Sequence, residues 1–277
     1  MVEITKRVFS VCMSVYKNDN TTDLAEAVLS IYNQTCPPSE IILVIDGPVP
    51  ETMHKTIDAL VRKTGIMRVI PLEKNMGHAI ARQTGLEAAK NDLCAVMDAD
   101  DLSVPDRFEK QLKVFEEYPD VSVVGGLINE FIHTIDNVVG SRIVPKNDAD
   151  VKAYLRSRCP MNLVTVMFKK SDVMKVGGYQ DWYCEEDYYL WIRLVLAGYK
   201  FYNIQENLVY VRVGKEMYQR RGGKKYFHSE ARLQKYMLDY KLISYPKYVY
   251  NIIIRWVVQV AMPNELRGWV FRVFARK

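Results

Sequence analysis

Seven segments within the first 97 residues alternate between strand-length apolar runs and stretches of helical periodicity, and that alternation leaves few folds open. Val8 to Val15 is a largely apolar run of strand length, and Leu24 to Gln34 places Leu24, Ala27, Val28 and Ile31 at helical spacing. Glu40 to Ile45, Met67 to Ile70 and Leu93 to Met97 read as further strands, with helices over Glu51 to Lys63 and Gly77 to Lys90 between them. The strand runs are apolar throughout, as expected when helices cover both faces of a parallel sheet through right-handed crossovers. Ligands in open sheets of this kind bind beyond the carboxyl ends of the strands. The pattern therefore predicts that Ser14 to Asn18, Asp46 and Asp98 to Asp101 share one edge of the sheet.

Asp98, Asp100 and Asp101 follow the Leu93 to Met97 run directly, so a buried strand ends in a loop of three carboxylates. Such close carboxylates repel one another, and a hard cation bound through oxygen, Mg²⁺ or Mn²⁺, relieves the repulsion and holds phosphate. The plainer alternative is a turn-rich loop in which Ser103 caps a helix from Pro105 to Tyr118. Val121 to Gly126 then reads as a strand, Asp148 to Arg156 as a helix, Thr165 to Phe168 as a strand, and Ser171 to Val176 as a short helix ended by Gly177 and Gly178. Glu185, Glu186 and Asp187 open another helix, with Tyr188, Trp191, Ile192 and Val195 on one stripe and Gly198 at its close. An acid at a helix N-terminus is favoured by about 0.3–1 kcal/mol. That explains one or two of these acids; three in a row after Tyr179, Trp182 and Tyr183 point to a functional carboxylate.

With 277 residues, 49% hydrophobic and 26% charged, the chain suits one large α/β domain with an appendage. A net charge of +5 is too mild to indicate nucleic acid as a partner. The basic residues are unevenly placed: Lys215 to Lys225 holds five against one acid, and three Arg and a Lys fall in the last eleven positions. Five widely spaced cysteines without a C-x-x-C pair disfavour zinc and a disulfide framework and fit a reducing cytosol. The polar N-terminal segment lacks the apolar core of a signal peptide, so export is not expected, and the N-x-T triplets at Asn20 and Asn33 are read as accidental.

Beyond Tyr226 the composition changes. Tyr248 to Met262 is apolar except for Asn251, Arg255 and Gln259, which recur every four positions, and Pro263-Asn264 precedes a second apolar stretch, Leu266 to Phe274. Crossing a bilayer takes roughly 20 mainly apolar residues, so neither stretch is expected to span. With Trp256, Trp269, Arg267, Arg272, Arg276 and Lys277, the pair is expected to lie in a membrane interface. The competing reading is a helical pair packed on the catalytic domain or on a sister chain.

Taken together, these segments resemble the family 2 glycosyltransferases, nucleotide-sugar-dependent enzymes of the GT-A fold, over roughly residues 7 to 213. The resemblance is carried by Val11 to Tyr16, by Ser30 and Gln34, and by Ile42 to Gly47. It continues through Asn75-Met76-Gly77 with Ala81-Arg82, and Met97 to Asp101 with Pro105-Asp106-Arg107. Gly177-Gly178-Tyr179 and Glu186-Asp187 with Leu190 to Arg193 complete it. The combination D-A-D-D, P-D-R and E-D-x-x-L-W-x-R looks like bacterial surface-polysaccharide transferases.

The resemblance implies an α/β GT-A domain: a Rossmann-like, mostly parallel sheet flanked by helices. It covers residues 1–213, with a nucleotide-sugar-binding part over about 1–126 and an acceptor part over about 127–213. Residues 214–277 form the basic loop and a helical C-terminal appendage. It implies that Ser14 and Asp46 hold the base of a nucleotide diphosphate sugar, such as a UDP-sugar, and that Arg82 approaches the diphosphate. Asp98 would contact the ribose, and Asp100 would carry the metal, Mn²⁺ or Mg²⁺. Ile45 stands where many relatives have a second Asp, which leaves base selectivity open. Asp187 would be the general base of an inverting transfer, with Glu186 orienting or binding the acceptor, a saccharide or lipid-linked saccharide. Arg220 or Arg221 would clamp phosphate, although the Trp of the family's Q-x-x-R-W element is missing. The implied setting is the cytoplasmic face of the inner membrane, peripherally bound, with oligomers allowed. Two other readings compete: a metal-dependent nucleotidyltransferase, weakened because Val15 to Thr22 has no glycine and a single lysine, and a non-catalytic membrane-associated protein of the same fold.

Overall fold

The structure, a computed structural model, describes residues 8–214 and 223–262. Its first half follows the sequence periodicity closely. Strands β1 (Phe9–Val15), β2 (Glu40–Ile45), β3 (Met67–Pro71) and β4 (Leu93–Val96) alternate with helices α1 (Thr21–Tyr32), α2 (Glu51–Thr64) and α3 (His78–Ala88). β1 pairs in parallel with both β2 and β4, and β2 with β3, so these four strands run in one direction. Alternate residues serve opposite faces. Val11, Met13, Ile41 and Leu43 join a core beneath α1 and α2, while Cys12, Ile42 and Val44 join a second core with Ala81 and Leu86 of α3. A strand buried on both faces needs apolar residues at every position, which is why these runs do not alternate.

The second half departs from a purely parallel pattern. Here lie β5 (Leu102–Ser103), α4 (Arg107–Glu117), β6 (Val121–Phe131), β7 (Val138–Arg142), α5 (Asp148–Leu155), β8 (Met167–Lys169), α6 (Lys170–Lys175), α7 (Glu186–Leu196) and β9 (Lys200–Arg212). The nine-stranded sheet has the order β3-β2-β1-β4-β8-β6-β9-β5, with β7 also paired to β6. β8 runs antiparallel to β4 and β6, β7 antiparallel to β6, and β5 antiparallel to β9, whereas β6 and β9 are parallel. The architecture is α/β with a mixed sheet.

Ser103, expected as a helix cap, instead lies in β5, where it pairs with Val209, and Asp106 occupies the position before α4. The strand expected over Val121 to Gly126 continues to Phe131 because β9, long and polar in sequence, supplies a partner along its whole length. The Thr165 to Phe168 strand is shortened by a 3₁₀ turn, Leu163–Thr165, in which Thr165 Oγ1 donates to the Asn162 carbonyl.

Two further helices, α8 (Lys224–Asp239) and α9 (Tyr245–Trp256), continue into a π-helical turn, Val257–Ala261. They pack on the main body, and among the described residues no helix is long and apolar enough to cross a membrane. The polar stripe of α9 faces inward: Asn251, Arg255 and Gln259 are buried.

Candidate active site

The carboxyl ends of β1, β2 and β4 open on one edge, and each contributes a residue that the sequence singles out. After β2 the chain turns at Asp46-Gly47, where Gly47 has φ +85° and a Cβ would sit 2.4 Å from the Asn75 nitrogen. Only glycine permits that approach. It brings the loop ahead of α3 against Asp46, whose two carboxylate oxygens accept the backbone N–H groups of Met76 (2.6 Å) and Gly77 (3.0 Å). Asp46 thus braces the entrance to α3 as well as facing the edge. Ser14 lines a small pocket with Met13, Arg82, Met97, Asp98 and Tyr179.

Arg82, one turn into α3, makes the central contact of the site. Its guanidinium pairs with Asp98 at 3.1 Å and with Glu186, two acids from the two clusters flagged in the sequence. Burial alone would lower its pKa, but Asp98 and Glu186 outweigh burial and hold it above the ordinary arginine value. The sequence expectation placed Arg82 toward a diphosphate; in the structure it joins the β4 loop to the start of α7. Beneath the same loop lies Arg107, fully buried, with Nη2 donating to the Val96 carbonyl at 2.8 Å and Nε to Gln111 at 3.1 Å. Desolvation pushes its guanidinium down to about 9 against the pull of Asp98 and Asp101.

The three aspartates of the loop have separate surroundings. Asp101 is buried and accepts the backbone N–H of Arg212 at 2.9 Å, which fastens the loop to β9. Arg212 also donates from Nε to the Asp100 carbonyl at 3.1 Å and pairs with Glu26 at 2.8 Å and Asp23 at 3.3 Å. Asp98 is held by Arg82. Asp100 reaches solvent, yet desolvation first, then repulsion from Asp98 and Asp19, pushes its carboxyl up to about 6. Among the described residues no group of three or more His, Cys, Asp or Glu could hold a metal ion. The donor set fits a divalent ion only in the form in which one or two carboxylates share it with phosphate oxygens, the usual arrangement for Mg²⁺ beside a nucleotide.

At the second cluster, α8 braces the segment leading into α7. Trp182 Nε1 donates to the Ser229 carbonyl at 3.1 Å, Ser229 Oγ to the Tyr183 carbonyl at 2.6 Å, and Tyr226 Oη to Glu185 at 2.6 Å. Glu186 pairs with Arg82, while Asp187 makes no ion pair among the described residues. Asp187 Oδ1 accepts the N–H of Tyr188 at 2.7 Å, and Oδ2 lies 3.7 Å from the Cys159 thiol. Desolvation, followed by repulsion from Glu186, raises its carboxyl to about 6, with Arg82 pulling the other way. A carboxylate titrating near neutrality suits proton transfer.

Several side chains here were not singled out as site residues by the sequence reading. Arg142 donates to the carbonyls of Cys159 (2.6 Å) and Met161 (3.2 Å), fixing the wall beside Asp187. Tyr179 is buried in the pocket with Arg82, and its hydroxyl has no hydrogen-bond partner among the described residues. His78 opens α3; desolvation and then the Arg82 cation hold its imidazole below the ordinary value. Arg142 and His78 lie outside the motifs quoted from the sequence, and Tyr179, although part of Gly177-Gly178-Tyr179, gains its place beside Arg82 only through the fold. Arg220 and Arg221 lie outside the described residues.

Comparison with known proteins agrees with this architecture. The fold matches the GT-A glycosyltransferase structure of S. aureus TarS 1–349 in complex with UDP-GlcNAc, with a TM-score of 0.67 at 16% identity, over 90% of this chain and 72% of that one. The family described as Glycosyl transferase family 2 matches residues 10–177, and the chain belongs to that family. It is 36% identical over 269 residues, 97% of each chain, to the UDP-Gal:alpha-D-GlcNAc-diphosphoundecaprenol beta-1,3-galactosyltransferase of Escherichia coli. It is 32% identical to the amylovoran biosynthesis glycosyltransferase AmsE of Erwinia amylovora, covering 95% of this chain and 98% of AmsE.

Proposed function

We propose that this glycosyltransferase moves a sugar from a UDP-sugar to a hydroxyl of a lipid-diphosphate-linked saccharide, with inversion, during cell-surface polysaccharide synthesis. The observation that carries the reading is the Arg82 bridge between Asp98 and Glu186, which sets a donor-side acid loop and a proton-accepting helix start against each other. The E. coli relative, whose name specifies a UDP-Gal donor, a diphosphoundecaprenol-linked acceptor and a beta-1,3 linkage, supports the substrate classes and the stereochemistry.

In this reading Ser14 and Asp46 border the base, and Asp98 faces the ribose and diphosphate. Asp100, with phosphate oxygens of the donor, would hold Mn²⁺ or Mg²⁺, and the ion would supply charge neutralisation to the departing diphosphate. Asp187 accepts the proton of the acceptor hydroxyl as that oxygen attacks the anomeric carbon opposite the leaving group. The C–O bond to the acceptor forms while the bond to the diphosphate breaks, so an α-linked donor yields a β-linked product. Glu186 keeps Arg82 in place and, by repulsion, keeps Asp187 basic enough to take the proton. A half-buried carboxyl raised to about 6 near the Arg82 bridge supports turnover over a binding surface without it.

Transfer from a panel of nucleotide sugars to a synthetic lipid-diphosphate GlcNAc, with Mn²⁺ present, tests the proposal. Asp187→Asn is expected to lose about 10²–10⁴ in rate while still binding donor. Wild-type turnover by that variant would remove Asp187 from the mechanism; incorporation of a nucleoside monophosphate with release of a sugar 1-phosphate would instead indicate nucleotidyl transfer.

A further inference from the structure

Helix α9 is amphipathic in the wrong sense for a helix exposed to water. Its polar residues face the protein. Asn251 Nδ2 donates to the Arg156 carbonyl (2.8 Å) and to Gln234 (2.7 Å), and Arg255 Nη2 donates to the Ser157 carbonyl (2.7 Å) while its Nε stands 3.3 Å from Glu230. Gln259 donates to the same Glu230. Residues four apart drift about 40° per step around an α-helix of 3.6 residues per turn. The π-helical turn over Val257–Ala261, in which Met262 N–H reaches the Val257 carbonyl at 2.9 Å, unwinds that drift and keeps Gln259 in line. The opposite face therefore carries the apolar residues outward: Tyr250, Ile253, Ile254, Trp256 and Val257 are between 40% and 59% exposed. Contiguous exposed apolar surface of this kind marks an interaction site.

Charge identifies the partner. Residues 224–277 contain eleven Lys and Arg against three Asp and Glu, a net +8 that exceeds the whole chain's +5 and leaves residues 1–223 slightly acidic. On the described part, Lys247 lies over the Tyr250 ring of the strip at 5.2 Å, and Lys224 and Lys241 are exposed, while Lys225 and Arg232 cover the Tyr183 and Trp182 rings. An apolar strip with a Trp, carried on a segment of strongly positive net charge, complements an anionic bilayer: the rings and aliphatic chains enter the acyl boundary while the cations meet headgroups. We propose that the outward face of α9 docks the protein on an anionic membrane surface, lying in the interface and held by its buried polar stripe. The stripe grips the carbonyls of Arg156 and Ser157, two to three residues from Cys159 beside Asp187, so docking would hold the proton-accepting side of the site near the bilayer. The binding claim stands without the proposed reaction; only its benefit to a lipid-borne acceptor rests on that reading.

Flotation of the full chain with vesicles tests it. With phosphatidylglycerol vesicles the protein is expected to float and with pure phosphatidylcholine to float far less. Ile253→Ser combined with Trp256→Ser should weaken binding by at least about tenfold with unchanged thermal unfolding and unchanged donor-sugar hydrolysis. Brominated phosphatidylglycerol should quench wild-type tryptophan fluorescence, and Trp256→Phe should remove much of that quenching, a readout independent of any folding defect in the double variant. Failure of the wild-type chain to float with either vesicle would overturn the proposal. So would a wild-type dimer that the double variant converts to monomer, or an unfolding temperature lowered by the variant with no quenching in the wild type, since these would place a second copy or the chain's own C-terminal segment on the face. Loss of lipid-acceptor transfer with intact vesicle binding would count against the reaction and leave docking standing.

Discussion

The loop Asp98 to Asp101 and the helix start Glu185 to Asp187 are both runs of three acids, and the structure divides each in the same way. One acid in each holds architecture: Asp101 takes the Arg212 backbone N–H, and Glu185 takes the Tyr226 hydroxyl. One acid in each pairs with the same cation, Asp98 and Glu186 on either side of Arg82. The third pairs with no cation among the described residues and has a carboxyl raised to about 6, Asp100 in one run and Asp187 in the other. What separates them is solvent. Asp100 stands exposed at the strand edge, open to a diphosphate and a hydrated ion, whereas Asp187 is half-buried against Cys159. Under the proposed reaction, similar acidity would serve different chemistry, because access determines whether a carboxylate meets a cation or a proton.

Breaking the shared cation should have the largest effect among changes that leave both proposed functional acids in place. Arg82→Gln leaves Asp98 and Glu186 facing each other uncompensated. It should cost about 1–3 kcal/mol of stability, toward the lower part because Asp98 is partly solvated, as read by urea unfolding. It should also raise the pKa of Asp187, so the acid limb of the transfer rate moves to higher pH. Unchanged stability together with an unchanged limb would mean that the bridge does not couple the clusters.

A finer test is the pH profile of the wild type. As the proposed general base, Asp187 would accept a proton only when ionised, and its folded pKa is raised to about 6, so transfer should fall as pH drops through about 6 and level off above it. Glu186→Gln removes the main repulsion acting on Asp187, so the limb should move to lower pH; movement upward would contradict the assignment. The smallest effect is expected from Tyr226→Phe. Losing its bond to Glu185 should cost about 1 kcal/mol in urea unfolding with no change in the limb.

The parallel strands and both acid runs were legible in the sequence because each is local: apolar runs, helical spacing, and charges at element ends. β9 was not, since Asn203, Gln205, Glu206 and Asn207 interrupt its apolar pattern. Burial of Asn203 becomes acceptable only where its Nδ2 finds the carbonyls of Pro145 and Pro160, far away in sequence. Ser103 looked like a cap because its neighbours suit one; its pairing with Val209 could not be read locally. The polar stripe of α9 was visible as a stripe, but periodicity does not say which side faces protein. In the site, Arg82 was visible as a residue, while its bridge to Glu186, 104 positions away, is a product of the fold.

The division of labour between the two runs is tested most directly by calorimetric titration of a UDP-sugar, with and without Mn²⁺, into Asp100→Ala and Asp187→Asn. Asp100→Ala is expected to lose the Mn²⁺-dependent part of donor affinity, whereas Asp187→Asn is expected to bind donor as the wild type does and yet fail to transfer. Equal donor affinity in Asp100→Ala and wild type, or loss of donor binding in Asp187→Asn, would contradict that division.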